Sequence, residues 1–496
     1  MLEQAIQGFL SVFNLNTLPF ILLGIPVGIL VGILPGIGGP AAIAMALPFV
    51  PMMDPGPALA FLVALHSVCA TGGGVTSVLL NIPGEAFSAA TCLDGFPMAK
   101  KGEAGRALGA VFGASGLGGI FGGIWLIGMI FVIRPLVMLI GLPEYFFLVL
   151  LGISLIVTLG RGSVRKGLIS GMMGIFTAFF GVHILTGEPR FWFGNVYLLK
   201  GFGIIPVVLG MFGMPVVIEL FTSKESISEV ERAYVRAGLV WEGIKDVFRH
   251  FRTFILGTML GTAMGSIPGV GAQVVTFMSY GLAKQTSKHP ELFGTGIVEG
   301  VIAPESADNA KEGGGLLSTL SLGIPGSVAM ALLLGAFILV GLQPGPLFLR
   351  EHADIVFELA GTLILANLIA AALLSLVAGK LAILTYVRGI LVGPFVLILV
   401  IIGAYCQTGE MWDVLFGFGF GAIGYIMSKF GYNRAALVLG FILGDLAEKY
   451  FGLSMRTHGP LFFLRPFPLV LLTITILILF SDQIKALFKR RGKHAR

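Results

Sequence analysis

Four Pro-Gly steps break the apolar runs of this chain, and they come as two ordered pairs. The first stretch reads Gly32-Ile-Leu-Pro35-Gly36-Ile-Gly38-Gly39 and leads on to Gly72-Gly73-Gly74-Val-Thr76-Ser77-Val-Leu-Leu-Asn81-Ile-Pro83-Gly84. The second reads Gly265-Ser-Ile-Pro268-Gly269-Val-Gly271 and leads on to Gly313-Gly314-Gly315-Leu-Leu-Ser318-Thr319-Leu-Ser321-Leu-Gly323-Ile-Pro325-Gly326-Ser327. Pro268 follows Pro35 at nearly the interval by which Gly313 follows Gly72 and Pro325 follows Pro83, so the order of parts is kept. Proline removes a backbone donor and clashes with the preceding turn, and glycine loosens the chain. Each copy therefore interrupts apolar helix twice and supplies hydroxyls beside the second break.

Such breaks matter because of the solvent around them. Of 496 residues, 56% are hydrophobic and only 12% charged, where a soluble chain carries about 25% charged residues. Apolar runs of about 20 residues recur throughout, the length that crosses a bilayer core. A β-barrel would show short alternating segments instead. The expected class is an all-α polytopic membrane protein with about 11–13 transmembrane helices, two inverted repeats and broken helices or re-entrant hairpins. In hydrocarbon every unsatisfied backbone group is costly, so breaks survive only where protein or a polar cavity surrounds them. The new helix N-termini suit carboxylates, and unwound carbonyls suit Na⁺.

Charge gives the organisation. No Lys or Arg precedes Lys100, and basic loops then follow at Lys100–Arg106 and Arg161–Lys166. These and the basic tail from Lys489 to Arg496 are expected in the cytoplasm. Residues 1–221 read as repeat 1 with following helices, 222–252 as an amphipathic cytoplasmic connector, 253–455 as repeat 2 with following helices, and 456–496 as an anchor helix and basic tail. In copy 1 the loop after the first break, Phe49 to Pro57, carries no basic residue, and the loop after the second is basic. In copy 2 Lys284 to His289 follows the first break, and Gly341 to Leu349 after the second has no charge. If basic loops share one side, the copies enter the membrane in opposite senses. The three cysteines, Cys69, Cys92 and Cys406, show no paired spacing. No cleaved signal peptide is expected, because no basic region opens the chain.

The candidate substrate- and ion-binding residues follow from the breaks. Pro35, Gly36, Gly38, Gly39, Pro268, Gly269 and Gly271 shape the first breaks, and Pro83, Gly84, Pro325 and Gly326 the second. Gly73, Gly74, Gly314 and Gly315 precede the hydroxyls. Thr76, Ser77, Asn81, Ser318, Thr319 and Ser327 are neutral donors for solute or ion, the alternative being that hydroxyls satisfy the local backbone. Glu305, Asp308, Asn309 and Glu312 share one helical face, with Lys311 adjacent. Ionisable groups at membrane depth are functional candidates, and Asp308 and Asn309 join the list; the roles of Lys311 and Glu312 stay open. His66 reads as a packed histidine. No metal site is expected beyond a possible Na⁺ site at the same breaks. Phosphate-loop, dinucleotide and H-E-x-x-H patterns are absent, as is any nucleophile–base set, so no enzyme activity is expected. Gly444-Asp445 resembles the motif of intramembrane aspartyl proteases, but Ile442 occupies the place of their preceding glycine.

Several stretches resemble the large membrane subunit of the tripartite tricarboxylate transporters, the TctA family. They are Gly32 to Gly39, Leu79-Leu-Asn-Ile-Pro-Gly-Glu-Ala86, Leu93-Asp-Gly-Phe-Pro-Met-Ala-Lys-Lys-Gly-Glu-Ala-Gly-Arg-Ala-Leu-Gly109, Lys288-His-Pro-Glu291, Leu322-Gly-Ile-Pro-Gly-Ser327, Gly424 to Gly431 and Leu437 to Gly440. The resemblance implies uptake of a di- or tricarboxylate across the bacterial inner membrane, with the C-terminus cytoplasmic. It implies a TctB-like small membrane subunit, a TctC-like periplasmic solute-binding protein, and Na⁺ or H⁺ as coupling ion. No cofactor and no nucleic-acid partner are expected. Asp308-Asn-Ala-Lys311-Glu312 departs from the family's small, alanine-rich run, so the particular carboxylate stays open. A channel or a transporter of another small solute, working without a binding protein, is the alternative.

Overall fold

A computed structural model of the chain describes residues 2–34, 38–85, 87–137, 140–159, 163–222, 237–268, 272–384 and 389–479. It is all-α apart from one two-residue hairpin among the described residues. The first copy holds α1 (Leu2–Ser11), α2 (Leu18–Ile33), α3 (Gly38–Ala46), α4 (Pro55–Leu80), α5 (Ala89–Met98) and α6 (Ala104–Val137). Then come α7 (Leu142–Leu159), α8 (Val164–Ala178), the strands β1 (Gly181–Val182) and β2 (Pro189–Arg190), and α9 (Ile204–Val208) joined by a π-turn to α10 (Met214–Thr222). The second copy holds α11 (Ala237–Arg249), α12 (Phe251–Gly265), α13 (Ala272–Thr286), α14 (Glu299–Leu322), α15 (Val328–Leu339), α16 (Pro346–Glu351) and α17 (Ala353–Leu384). The chain continues through α18 (Gly389–Tyr405), α19 (Met411–Lys429), α20 (Arg434–His458) and α21 (Pro466–Leu479).

Five helical segments among the described residues are long and apolar enough to span a bilayer, and six shorter apolar helices accompany them. The protein is a polytopic membrane protein. The apolar stretch that follows Lys166 leaves the helix at Ala178. Gly181 and Gly187 take positive φ, and His183 Nδ1 accepts the N–H groups of Leu185 and Thr186, so the backbone turns into the β1–β2 hairpin. Of the expected connector 222–252, residues 223–236 lie outside the described residues, and the remainder forms α11 and the start of α12. The basic tail also lies outside them.

The two copies pack reciprocally. A methyl built on Gly8 of α1 would sit 2.2 Å from the Asp354 carbonyl of α17, and one on Gly243 of α11 would sit 2.0 Å from the Arg106 carbonyl of α6. Each lead-in helix thus lies on the long helix of the other copy. Within each copy the hairpin's first arm runs parallel to the central helix: Gly24, Gly28 and Gly32 of α2 meet Phe61, Leu65 and Cys69 of α4, and Gly257, Gly261 and Gly265 of α12 meet Ala303, Ala307 and Lys311 of α14. The central helices cross one another antiparallel, since His66, Thr71 and Gly74 of α4 meet Glu312, Asn309 and Glu305 of α14 in that order. Equivalent helices therefore point in opposite directions, which is the geometry of an inverted repeat.

The hairpins turn halfway. Thr17, before α2, donates to Glu358 beside Gly56 at the start of α4; Gly39, past the turn, lies against His66 in the middle of α4. Thr253, at the start of α12, donates to Glu299 at the start of α14, and Gly265 lies against Lys311 near its middle. Two re-entrant hairpins thus enter from opposite ends and reach the same depth.

Candidate functional site: two helix breaks and a buried charge cluster

The central helices end in the same way. Asn81 closes α4 in the left-handed region at φ +58°, and Gly323 closes α14 at φ +69°. An Ile-Pro-Gly follows each, and proline cannot continue a helix. The chain then folds back: Gly84 seats against Gly73 and the Gly32 carbonyl, and Gly326 against Gly315 and the Gly265 carbonyl. The second break of each copy therefore lies beside its first. Pro268 is described at the edge of its break, whereas Pro35, Gly36, Gly269 and Gly271 lie outside the described residues.

Both helices run unbroken through their glycine triplets, each residue serving a different neighbour. Gly72 faces α2, Gly73 the returning loop, and Gly74 the Glu305 carboxylate. Gly313 faces Gly122 of α6, Gly314 faces α12, and Gly315 faces Met330 of α15.

The hydroxyls face their own backbone. Thr76 and Ser77 donate to the Gly73 carbonyl at 3.0 and 2.9 Å, and Ser318 and Thr319 to the Gly315 carbonyl at 3.1 and 2.6 Å. Ser77 also lies 3.1 Å from the Ser88 carbonyl across the break. Their hydrogens being engaged, they offer lone pairs, which suits a cation better than a carboxylate. Ser327 caps α15, its Oγ accepting the Met330 N–H at 3.2 Å. The Asn81 side chain is exposed.

Between the hairpins lies a buried charge cluster. Lys311, 7% exposed, pairs with Asp308 at 2.7 Å and with Glu312, and its ammonium sits 4.7 Å from the Phe87 ring centre. Glu312 reaches across to His66 Nε2 at 3.2 Å. Glu85 accepts the Gly39 N–H at the start of α3, so an internal carboxylate already occupies that helix N-terminus. His66 Nδ1 is buried against Gly39 without a hydrogen-bond partner among the described residues. Asn309 donates to the Ser67 carbonyl, Thr71 and Asn367. Glu305, 2% exposed, accepts from Thr91 at 2.6 Å and Ser115 at 2.7 Å and forms no ion pair among the described residues. Buried charges without full compensation are expensive, and here four carboxylates share the space with one ammonium and one imidazole.

Sequence reasoning placed Asp308 and Asn309 here. It missed Glu85, Thr91, Ser115 and Asn367 as partners, and it read His66 as mere packing. Only Glu85 carried a signal, sitting directly after Pro83-Gly84.

Two half-crossing hairpins that enter from opposite ends around a buried polar centre define a membrane transport protein of the inverted-repeat class. The family model for the tripartite tricarboxylate transporter TctA family matches residues 18–439, and the chain belongs to that family. It is thus a component of a tripartite transport system and not a member of an enzyme family. It is 33% identical over 494 residues, 98% of this chain and 97% of the relative, to an uncharacterized 52.8 kDa protein in the TAR-I ttuC' 3' region of Agrobacterium vitis. It is 36% identical over 196 residues, 39% of this chain and 81% of the relative, to an uncharacterized protein in the TAR-II ttuC' 3' region of the same organism. No solved structure matches the chain.

Proposed function

We propose that the chain is the large membrane subunit of a secondary importer that takes an organic di- or tricarboxylate from a periplasmic solute-binding protein and is driven by a cation gradient. A small membrane subunit completes the assembly in the bacterial inner membrane, with the basic loops and C-terminus in the cytoplasm. The observation that carries this reading is the meeting of the two opposed hairpins at one depth, beside Lys311, His66 and their surplus of carboxylates. Lys311 and the imidazole are the groups suited to a substrate carboxylate, which would compete with Glu85 at the start of α3. Glu305 and the lone pairs of Thr76, Ser77, Ser318 and Thr319 are suited to the coupling cation.

Uptake into proteoliposomes holding this chain and its small subunit tests the proposal. The binding protein is added loaded with radiolabelled carboxylate, with or without an inward Na⁺ or H⁺ gradient. Uptake should require both the binding protein and one of the gradients. Uptake that needs neither would overturn the reading in favour of a channel.

A further inference from the structure

Away from the hairpin tips, a cavity of about 620 Å³ opens where the α5–α6 turn, the α11–α12 junction and the loop after α13 meet. Asp94 of α5 ties two of these segments together: its carboxylate accepts the N–H groups of Gly294, Gly296 and Ile297 in the loop after α13 and the Tyr280 hydroxyl. Five Lys and Arg residues line the cavity: Lys101, Arg106, Arg249, Arg252 and Lys288. Two are committed. Arg106 pairs with Asp246 at 2.5 Å and Glu103 at 3.2 Å, and Arg249 with Asp246 at 3.0 Å and with Glu242. The one carboxylate in the lining, Glu299, accepts from Thr253 and Ser287. Lys101, Arg252 and Lys288 have no carboxylate partner among the described residues. Three exposed cations without a carboxylate partner, drawn from three segments, thus line one cavity and concentrate positive potential there, which suits an anion.

The surroundings of the cavity select the anion. It borders α11, whose other flank exposes Trp241 and Phe248, and the next helix opens with exposed Phe251. Aromatic side chains of this kind anchor helices at the headgroup level, and basic pockets between membrane helices there hold anionic headgroups. We propose that this cavity binds the phosphate of an anionic phospholipid, held by Lys101, Arg252 and Lys288 from both copies. The site is separate from the hairpin centre, and a lipid there would brace the second hairpin's entry against the first copy's α5–α6 turn.

Native mass spectrometry of the full chain released from nanodiscs of phosphatidylcholine with or without phosphatidylglycerol tests this. Wild type should carry phosphatidylglycerol, and each cation removed should lower its retention about fivefold. The triple substitution Lys101→Gln, Arg252→Gln and Lys288→Gln should leave no bound phosphatidylglycerol. A charge-matched control at exposed Lys200, Lys284 and Lys429, outside the cavity, should keep it. If the triple variant does not fold, Lys288→Gln alone carries the test. Retention unchanged by the substitutions would overturn the proposal. So would displacement of the lipid by inorganic phosphate at equal concentration, which marks a soluble anion site.

Discussion

Asn81 shows how a residue can be conspicuous in sequence for one reason and placed for another. It holds φ +58° at the end of α4, where α14 has Gly323. A left-handed residue with a Cβ costs roughly 1–2 kcal/mol, a cost that asparagine lessens and glycine avoids. Asn81→Gly should therefore keep thermal stability and uptake, while Asn81→Ala should lower stability by about 1 kcal/mol. Loss of uptake in a stable Asn81→Gly variant would instead make the side chain a ligand. Lys311 is the opposite case. Removing one partner of a buried ion pair costs about 3–5 kcal/mol because the other charge stays behind. Lys311→Met should thus lower the melting temperature sharply, and adding Asp308→Asn should recover part of the loss. Equal melting temperatures for Lys311→Met and wild type would show that these ion pairs add nothing net to stability. Asp308 and Asn309 were legible as candidates because their spacing lies within one helix. His66, Thr91 and Ser115 were not, because each becomes polar machinery only through a partner on another helix.

At the scale of the element, the glycine triplets were legible as special but not as helix. Glycine is disfavoured in a helix by about 1 kcal/mol relative to alanine, which is why a triplet reads as a weak point. What keeps α4 and α14 continuous is close approach on every side. A methyl on Gly313 would lie 1.9 Å from the Gly122 carbonyl oxygen, and one on Gly32 would lie 2.1 Å from that of Cys69, too near for any contact. A methyl on Gly128 of α6 would meet nothing within 4 Å among the described residues. Gly313→Ala should therefore lower the melting temperature and the yield of folded protein, whereas Gly128→Ala should be neutral or gain up to about 1 kcal/mol. Similar losses from both would mean that helix–helix approach does not set the tolerance. The β1–β2 hairpin was hidden for a related reason: Gly181 and Gly187 act there through positive φ, which an apolar stretch does not reveal.

For the whole molecule, the loop charges were the trace of an architecture that only pairing could show. The antiparallel crossing of α4 and α14 puts Asp54, before α4, at the opposite end from Lys288, which lies near the start of α14. The basic loops of the two copies meet at the Lys288 end, where a methyl on Gly296 would sit 3.0 Å from the Met98 nitrogen. Single cysteines at the two positions, in a chain with Cys69, Cys92 and Cys406 replaced, should therefore react with a membrane-impermeant thiol reagent from opposite sides of sealed vesicles. With basic loops retained inside, Asp54→Cys should label in intact cells and Lys288→Cys only after lysis. Labelling of both from one side would break the two-fold relation between the copies. With it would go the meeting of the hairpins at one depth, on which alternating exposure of the centre rests.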